Sequence, residues 1–100
     1  MRILLVTAPP EAGAPLLRQL IEDRVVAGGN IIPGLRSLYR WKGEVCDEPE
    51  VLLVMETSAE DLHLKITAIE EAHPYEVPKI VAFAPGEALE AYVTWVRANS

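Results

Sequence analysis

Three segments of this chain are apolar at every position, and each has the length of a short β-strand: residues 3–6, 51–55 and 80–83. A strand with helices on one face and water on the other alternates apolar and polar residues. Because these three strands do not alternate, we expect both of their faces to be covered. A chain of 100 residues has too few left over to build a second covering layer, so a neighbouring subunit is the economical source of it. The sequence therefore predicts a homo-oligomer.

Periodicity predicts four strands and three helices. The first helix begins at Pro15 and is stopped by the glycine pair at 28–29. The second is capped by Ser58, which forms a capping box with Asp61, and ends near residue 73. The third should run from about residue 87 to residue 97 and bury Leu89, Tyr92 or Val93, and Val96. The predicted strands are residues 2–8, 30–41, 51–55 and 80–83.

The second strand is long and should bend at Pro33-Gly34, because the proline removes a ladder donor and the glycine permits a bulge. Lys42-Gly43 begins the turn of the hairpin that follows. The full order is β-α-β-β-α-β with a terminal helix. This order is typical of a ferredoxin-like α+β sandwich, which we expect to form one domain over residues 1–100.

Charge and composition exclude several classes of partner. The net charge is -6 and the nine Lys and Arg residues are scattered, so nucleic acid and anionic membranes are not expected partners. No stretch approaches the roughly 20 apolar residues of a membrane span, and the apolar run after Arg2 is too short for a signal peptide. We therefore expect a cytoplasmic protein. Arg outnumbers Lys six to three, and the chain contains eight prolines. This composition favours thermostability.

The segment from His73 to Pro78 places an imidazole, a phenol and a carboxylate between two prolines. Pro74 and Pro78 hold the residues before them in extended geometry, so the directions of the His73, Tyr75 and Glu76 side chains should be fixed. A rigid polar loop of this kind is suited to a binding site. In the alternative interpretation, the imidazole only ends a helix, the phenol packs and the carboxylate is solvated.

Other groups of residues give weaker evidence for a binding or catalytic site. Residues 46–50 combine the single cysteine, Cys46, with three carboxylates; they could bind copper or zinc with help from another chain, or form an exposed acidic loop. His63 lies off the apolar stripe of its helix and is expected at the surface. No nucleophile elbow, phosphate loop or paired-histidine motif is present. We therefore predict a binding protein and not an enzyme.

Two long segments, residues 30–43 and 73–78, resemble the CutA family of divalent-cation tolerance proteins in residue order and spacing. The resemblance extends to residues 51–57 and to Tyr92-x-x-Trp95, and covers nearly the whole chain. It implies a ferredoxin-like subunit, similar to the PII signalling proteins, assembled as a homotrimer. It also implies a role in tolerance to copper and other divalent cations, which members of the family are reported to bind.

Two positions depart from the family pattern. Gly28-Gly29 stands where members usually carry Cys-Val, so a thiol often proposed as a metal ligand is absent. Glu56 stands where lysine is usual, and its carboxylate would favour a hard cation. The predicted metal ligands are therefore His73, Glu76 and Glu56. The residues expected to line the surrounding ligand cleft are Tyr75, Tyr39, Trp41, Arg36 and Arg40.

Two hypotheses remain open. In the first, a cytoplasmic homotrimer binds a divalent metal ion, copper or a similar ion, in clefts between subunits that contain His73 and Glu76. In the second, a PII-like sensor or trimeric scaffold holds a small anionic ligand through Arg36 or Arg40 and contacts a protein partner. In both, Trp41 is expected to be buried against another chain.

Overall fold

A computed structural model describes all 100 residues and contains four strands and three helices. The strands form one antiparallel sheet in the order β2-β3-β1-β4. This topology is the predicted ferredoxin-like α+β fold with an added terminal helix. The elements are β1 (Arg2–Ala8), α1 (Gly13–Glu22), β2 (Gly28–Trp41), β3 (Glu44–Thr57), α2 (Leu62–Ala72), β4 (Ile80–Phe83) and α3 (Glu90–Ala98).

The main core lies between α1, α2 and one face of the sheet. Leu4, Val6 and Leu53 point to this face from the central strands β1 and β3, and all three are fully buried. Leu20 of α1 and Ile69 of α2 pack onto them and are also fully buried. Apolar residues at these helical and strand spacings remove their side chains from water together, which is the main force holding such a small domain.

The opposite face of the sheet, called the outer face below, is also apolar. The strand register places its side chains in rows across the sheet, and many of them are open to solvent: Ile32 is 45% exposed, Val81 50% and Phe83 46%. The prediction that the apolar strands have two apolar faces is therefore confirmed. The outer-face residues are Ile3, Leu5, Thr7, Gly28, Asn30, Ile32, Leu52, Val54, Glu56, Val81 and Phe83.

Helix α3 covers one corner of the outer face. The indole of Trp95 lies over Gly28, where a Cβ would be 3.5 Å from the nearest ring carbon. The Tyr92 ring stacks on the same indole, with 5.6 Å between ring centroids. Val96, one residue further along the helix, is fully buried.

Beyond the body of the domain, β2 and β3 continue as a two-stranded ribbon, called the arm, which comprises residues 35–41 and 44–50. The register shifts between Ile32 and Leu35, and Gly34 in this bulge has φ +80°. Lys42 and Gly43 form the turn, both with positive φ. The predicted bend and turn are thus confirmed. The arm makes the subunit 44 Å long against 24 Å and 22 Å across.

Several predicted boundaries are wrong for local reasons. Helix α1 ends at Glu22, because Arg24 adopts the left-handed conformation, and the glycine pair lies inside β2. Ser58 does not cap α2, which follows Asp61; the Ser58 hydroxyl accepts a hydrogen bond from Lys65 Nζ instead. Helix α3 starts only at Glu90, so Leu89 is exposed and not buried. The acidic segment 44–50, expected in part as a loop, belongs to β3.

Candidate functional site

A groove of about 880 Å³ lies between the arm and the loop that precedes β4. Its size is in the range of small-molecule sites. The register shift between Ile32 and Leu35 lies where β2 passes from the body of the domain into the arm that forms one side of the groove. The lining residues are Thr7 of β1, residues 36–41 of β2, Glu50 of β3 and residues 74–79 of the loop.

His73 lies beneath this groove and does not line it. Its side chain is buried, and both ring nitrogens are used: Nε2 is 2.8 Å from the Thr7 carbonyl oxygen, and Nδ1 accepts a hydrogen bond of 3.0 Å from the Tyr75 N–H. Because a carbonyl oxygen only accepts, Nε2 must carry the proton and the imidazole is neutral. In this arrangement no nitrogen lone pair of His73 is free to bind a metal ion. The ring instead fastens the loop to β1.

Tyr75 connects the loop to the base of the arm. Its hydroxyl donates a hydrogen bond of 2.9 Å to Glu50 Oε2, and its ring lies 4.9 Å from that of His73. Burial raises the pKa of the Tyr75 phenol, and the Glu50 carboxylate raises it further. Glu50 is only 5% exposed, so a buried carboxylate is held in place at the groove by this phenol.

Tyr39 and Trp41 form the aromatic side of the arm that faces the groove. The Tyr39 hydroxyl donates a hydrogen bond of 3.1 Å to Glu48 Oε2 on the neighbouring strand. Burial, followed by Glu48, raises the pKa of the Tyr39 phenol to about 12. Trp41 is 38% exposed and has Lys42 Nζ 5.7 Å from its ring centroid. Both aromatic rings are therefore available for contact with a ligand or another chain.

Positive charge at the groove is partly compensated. Arg36 donates two hydrogen bonds to Asp47, at 2.9 Å and 2.6 Å, in a bidentate ion pair. This pair raises the pKa of the Arg36 guanidinium and lowers that of the Asp47 carboxyl. Arg40 and Lys79 line the groove and take part in no ion pair. They are the cations best placed to meet an anionic group.

Glu56 lies apart from the groove. It is six residues beyond Glu50 along β3, which corresponds to roughly 20 Å in an extended strand. Its partner in the register is Gly28 on β2. Burial raises the pKa of the Glu56 carboxyl, and the nearby Tyr92 phenol partly opposes this. Within one chain, Glu56 and Glu76 therefore do not belong to one site.

The structure thus brings together Glu76 and all five predicted cleft residues, and leaves out Glu56 and the ring of His73. Sequence reasoning missed Thr7 and Lys79, and it considered Glu50 only as one of the carboxylates of residues 46–50 and not as part of this groove. Glu50 carried a usable signal, because it is the last acidic residue before an apolar strand and alternation places it on the face of Leu52. No three His, Cys, Asp or Glu side chains of one chain lie close enough together to hold a metal ion.

Comparisons with known proteins agree with this fold. Residues 2–99 match the family described as CutA1 divalent ion tolerance protein. The divalent-cation tolerance protein CutA of Thermus thermophilus is 38% identical over 99 residues, which span 98% of this chain and 96% of that protein. None of the helices is long and apolar enough to cross a membrane.

Two solved structures are similar over their whole length. The PII-like protein CutA from Nostoc sp. PCC 7120, in apo form, has a TM-score of 0.91 and 39% identity, and the match covers 99% of this chain and 96% of that one. The divalent cation tolerance protein Cut A1 from Thermus thermophilus has a TM-score of 0.91 and 37% identity, with coverage of 100% and 99%. The fold described above is therefore PII-like.

Proposed function

Because this chain belongs to the CutA1 family of divalent ion tolerance proteins, we propose that it binds divalent cations in the groove between the arm and the loop. A homotrimer of the chain completes each groove. The observation that carries the proposal is the buried carboxylate of Glu50 at the groove, held by the Tyr75 hydroxyl, with Glu76 on the facing loop. Carboxylates are ligands for divalent cations, and the burial of one without a basic partner favours binding of positive charge.

The groove of one chain supplies too few ligands to hold an ion. A neighbouring copy therefore contributes the remaining ligands. Self-association is also supported by the half-exposed apolar outer face and by the arm, since a two-stranded ribbon on its own is marginally stable in water. Copper is the ion that the sequence resemblance implies, whereas carboxylate oxygens also suit harder ions such as Mg²⁺. We propose that the groove binds either copper or a harder divalent ion.

We further infer a cytoplasmic binding protein without a catalytic step. The histidine beside the groove engages both of its nitrogens in hydrogen bonds, so it has no free lone pair with which to act as a base. Cell fractionation with an antibody against the protein tests its location, and recovery outside the cytoplasmic fraction would contradict it.

A second candidate function is supported by the size and the cations of the groove. A volume of about 880 Å³ exceeds what an ion needs and fits an organic ligand. The unpaired Arg40 and Lys79 could bind an anionic group while Trp41 contacts an apolar part. In this alternative the protein is a sensor or scaffold, and a metabolite, not an ion, raises its melting temperature.

Calorimetric titration of the untagged protein with Cu²⁺, Zn²⁺ and Mg²⁺ tests the metal proposal. Saturable binding near one ion per chain is expected, and Glu50→Gln and Glu76→Gln should each weaken it at least tenfold. Glu50→Gln keeps an oxygen that accepts the Tyr75 hydrogen bond, so the loop should stay in place. Glu70→Gln, on the exposed side of α2, is the matched control and should bind as the wild type does. Absence of saturable binding by all three ions, or unchanged binding in both groove variants, would contradict the metal proposal.

A further inference from the structure

Lys65 differs in its surroundings from the other two lysines of the chain. Lys42 and Lys79 are exposed, whereas Lys65 is partly buried on α2. Its Nζ donates a hydrogen bond of 2.6 Å to Ser58 Oγ and another of 3.1 Å to the Ser58 carbonyl oxygen. Both acceptors are uncharged, and Lys65 takes part in neither ion pair of the chain. The amine is therefore held in a fixed position without a carboxylate partner.

These contacts leave the lone pair of the neutral amine free. A neutral amine has two N–H groups and one lone pair, and the two Ser58 oxygens accept both N–H groups. Burial lowers the pKa of the Lys65 ammonium group, and the carboxylates of Glu60 and Asp61, in the turn before α2, oppose this only in part. More of the group is then free amine at neutral pH, and only the free amine can attack an electrophile. Lys65 is thus placed to act as a nucleophile.

Ser58 connects Lys65 to the C-terminal end of the chain. It lies between β3 and α2 and is 4% exposed. Its N–H donates a hydrogen bond of 3.0 Å to Ser100 Oγ, and that hydroxyl donates one of 2.6 Å to the Val96 carbonyl oxygen in α3. Lys65, Ser58 and Ser100 therefore link α2 to the end of α3. A chemical change at the Lys65 amine acts on this link.

We propose that Lys65 is an acylation site, modified by small activated acyl donors of the acyl phosphate class. In this reaction the Nζ lone pair attacks the acyl carbon and the bond from that carbon to the phosphate oxygen breaks. Phosphate leaves with the electron pair and takes up the proton that the amine loses. The product amide has no charge and a single N–H, so it keeps only one of the two hydrogen bonds to Ser58 and weakens the link between α2 and α3. This inference is independent of cation binding in the groove.

Short incubations of the folded wild-type protein with acetyl phosphate at pH 7.5 test this inference, with mass spectrometry to measure the modified fraction of each lysine. Lys65 should be acetylated at least roughly threefold faster than Lys42 and Lys79, which serve as internal controls. The difference should disappear when the chain is unfolded in concentrated guanidinium chloride, because the burial of Lys65 and its contacts with Ser58 are then lost.

Lys65→Arg keeps N–H donors for Ser58 but cannot be acetylated at this position. After the same treatment, the urea midpoint of the wild type should fall further than that of Lys65→Arg, in which only the exposed lysines react. Acetylation of Lys65 no faster than that of both exposed lysines would overturn the inference, and this comparison needs no variant. A rate difference that persists in the unfolded chain, or an equal fall in the two urea midpoints, would overturn it as well.

Discussion

At the scale of single residues, His73 shows how a residue that looks like a ligand can be structural. The sequence predicts that its loop is rigid, and the structure places Tyr75 and Glu76 of that loop at a groove. It does not reveal which ring atoms are free, because the Thr7 carbonyl that takes Nε2–H is 66 residues away along the chain. The same limit applies to Glu50, whose burial depends on a tyrosine from another element.

His73→Ala should destabilise the folded chain by roughly 2–4 kcal/mol, because it leaves the Thr7 carbonyl and the Tyr75 N–H without their partner. Equilibrium urea unfolding measures this. His63→Ala is the matched control: the side chain is exposed on α2, and a change within about 0.5 kcal/mol is expected. Equal effects of the two substitutions would contradict the structural role of His73.

At the scale of elements, the order of strands and helices could be predicted and several of their ends could not. The hydrophobic periodicity and the Pro33-Gly34 pair are local signals in the sequence. The structure contains the strands, the helices and the bulge that they predict. The start of α2 depends instead on a competition for Ser58, whose hydroxyl is taken by Lys65. The end of α1 depends on Arg24 adopting a left-handed conformation, which residue type does not predict.

Gly28 and Gly34, two of the three glycines of β2, are expected to differ in their tolerance of alanine. Gly34 has φ +80° with no atom near its missing Cβ, so Gly34→Ala should cost roughly 1–2 kcal/mol from backbone strain alone. At Gly28 a Cβ would make an ordinary contact of 3.5 Å with Trp95, so Gly28→Ala should be close to neutral. Urea midpoints of the two variants test this, and a neutral Gly34→Ala would contradict the bulge geometry.

At the scale of the whole molecule, the arm and the outer face expose apolar side chains that a single subunit does not cover. Trp41 and Tyr39 of the arm are more than one-third exposed, and the outer face has three large apolar residues near half exposure. Both features were expected from strands without alternation and from a long bent hairpin. Their partner surface lies outside one chain, so neither the sequence pattern nor the single subunit specifies its geometry.

Burial of Trp41 by a neighbouring copy predicts a blue-shifted indole emission in the assembled protein. Trp95→Phe should be used as the background, because it leaves Trp41 as the only tryptophan. Emission should move to the red when the assembly is diluted or dissociated below its unfolding transition. An emission typical of a solvent-exposed indole in the intact assembly would contradict the proposed contact of the arm.

We propose that divalent cations bind in grooves completed by a second copy of the chain. Anomalous diffraction from crystals grown with Cu²⁺, collected on both sides of the copper absorption edge, tests it most directly. We predict a peak within bonding distance of a Glu50 or Glu76 oxygen, with a further ligand from a neighbouring chain. Peaks only at lattice contacts, or a fully occupied site elsewhere with the groove empty, would contradict the claim.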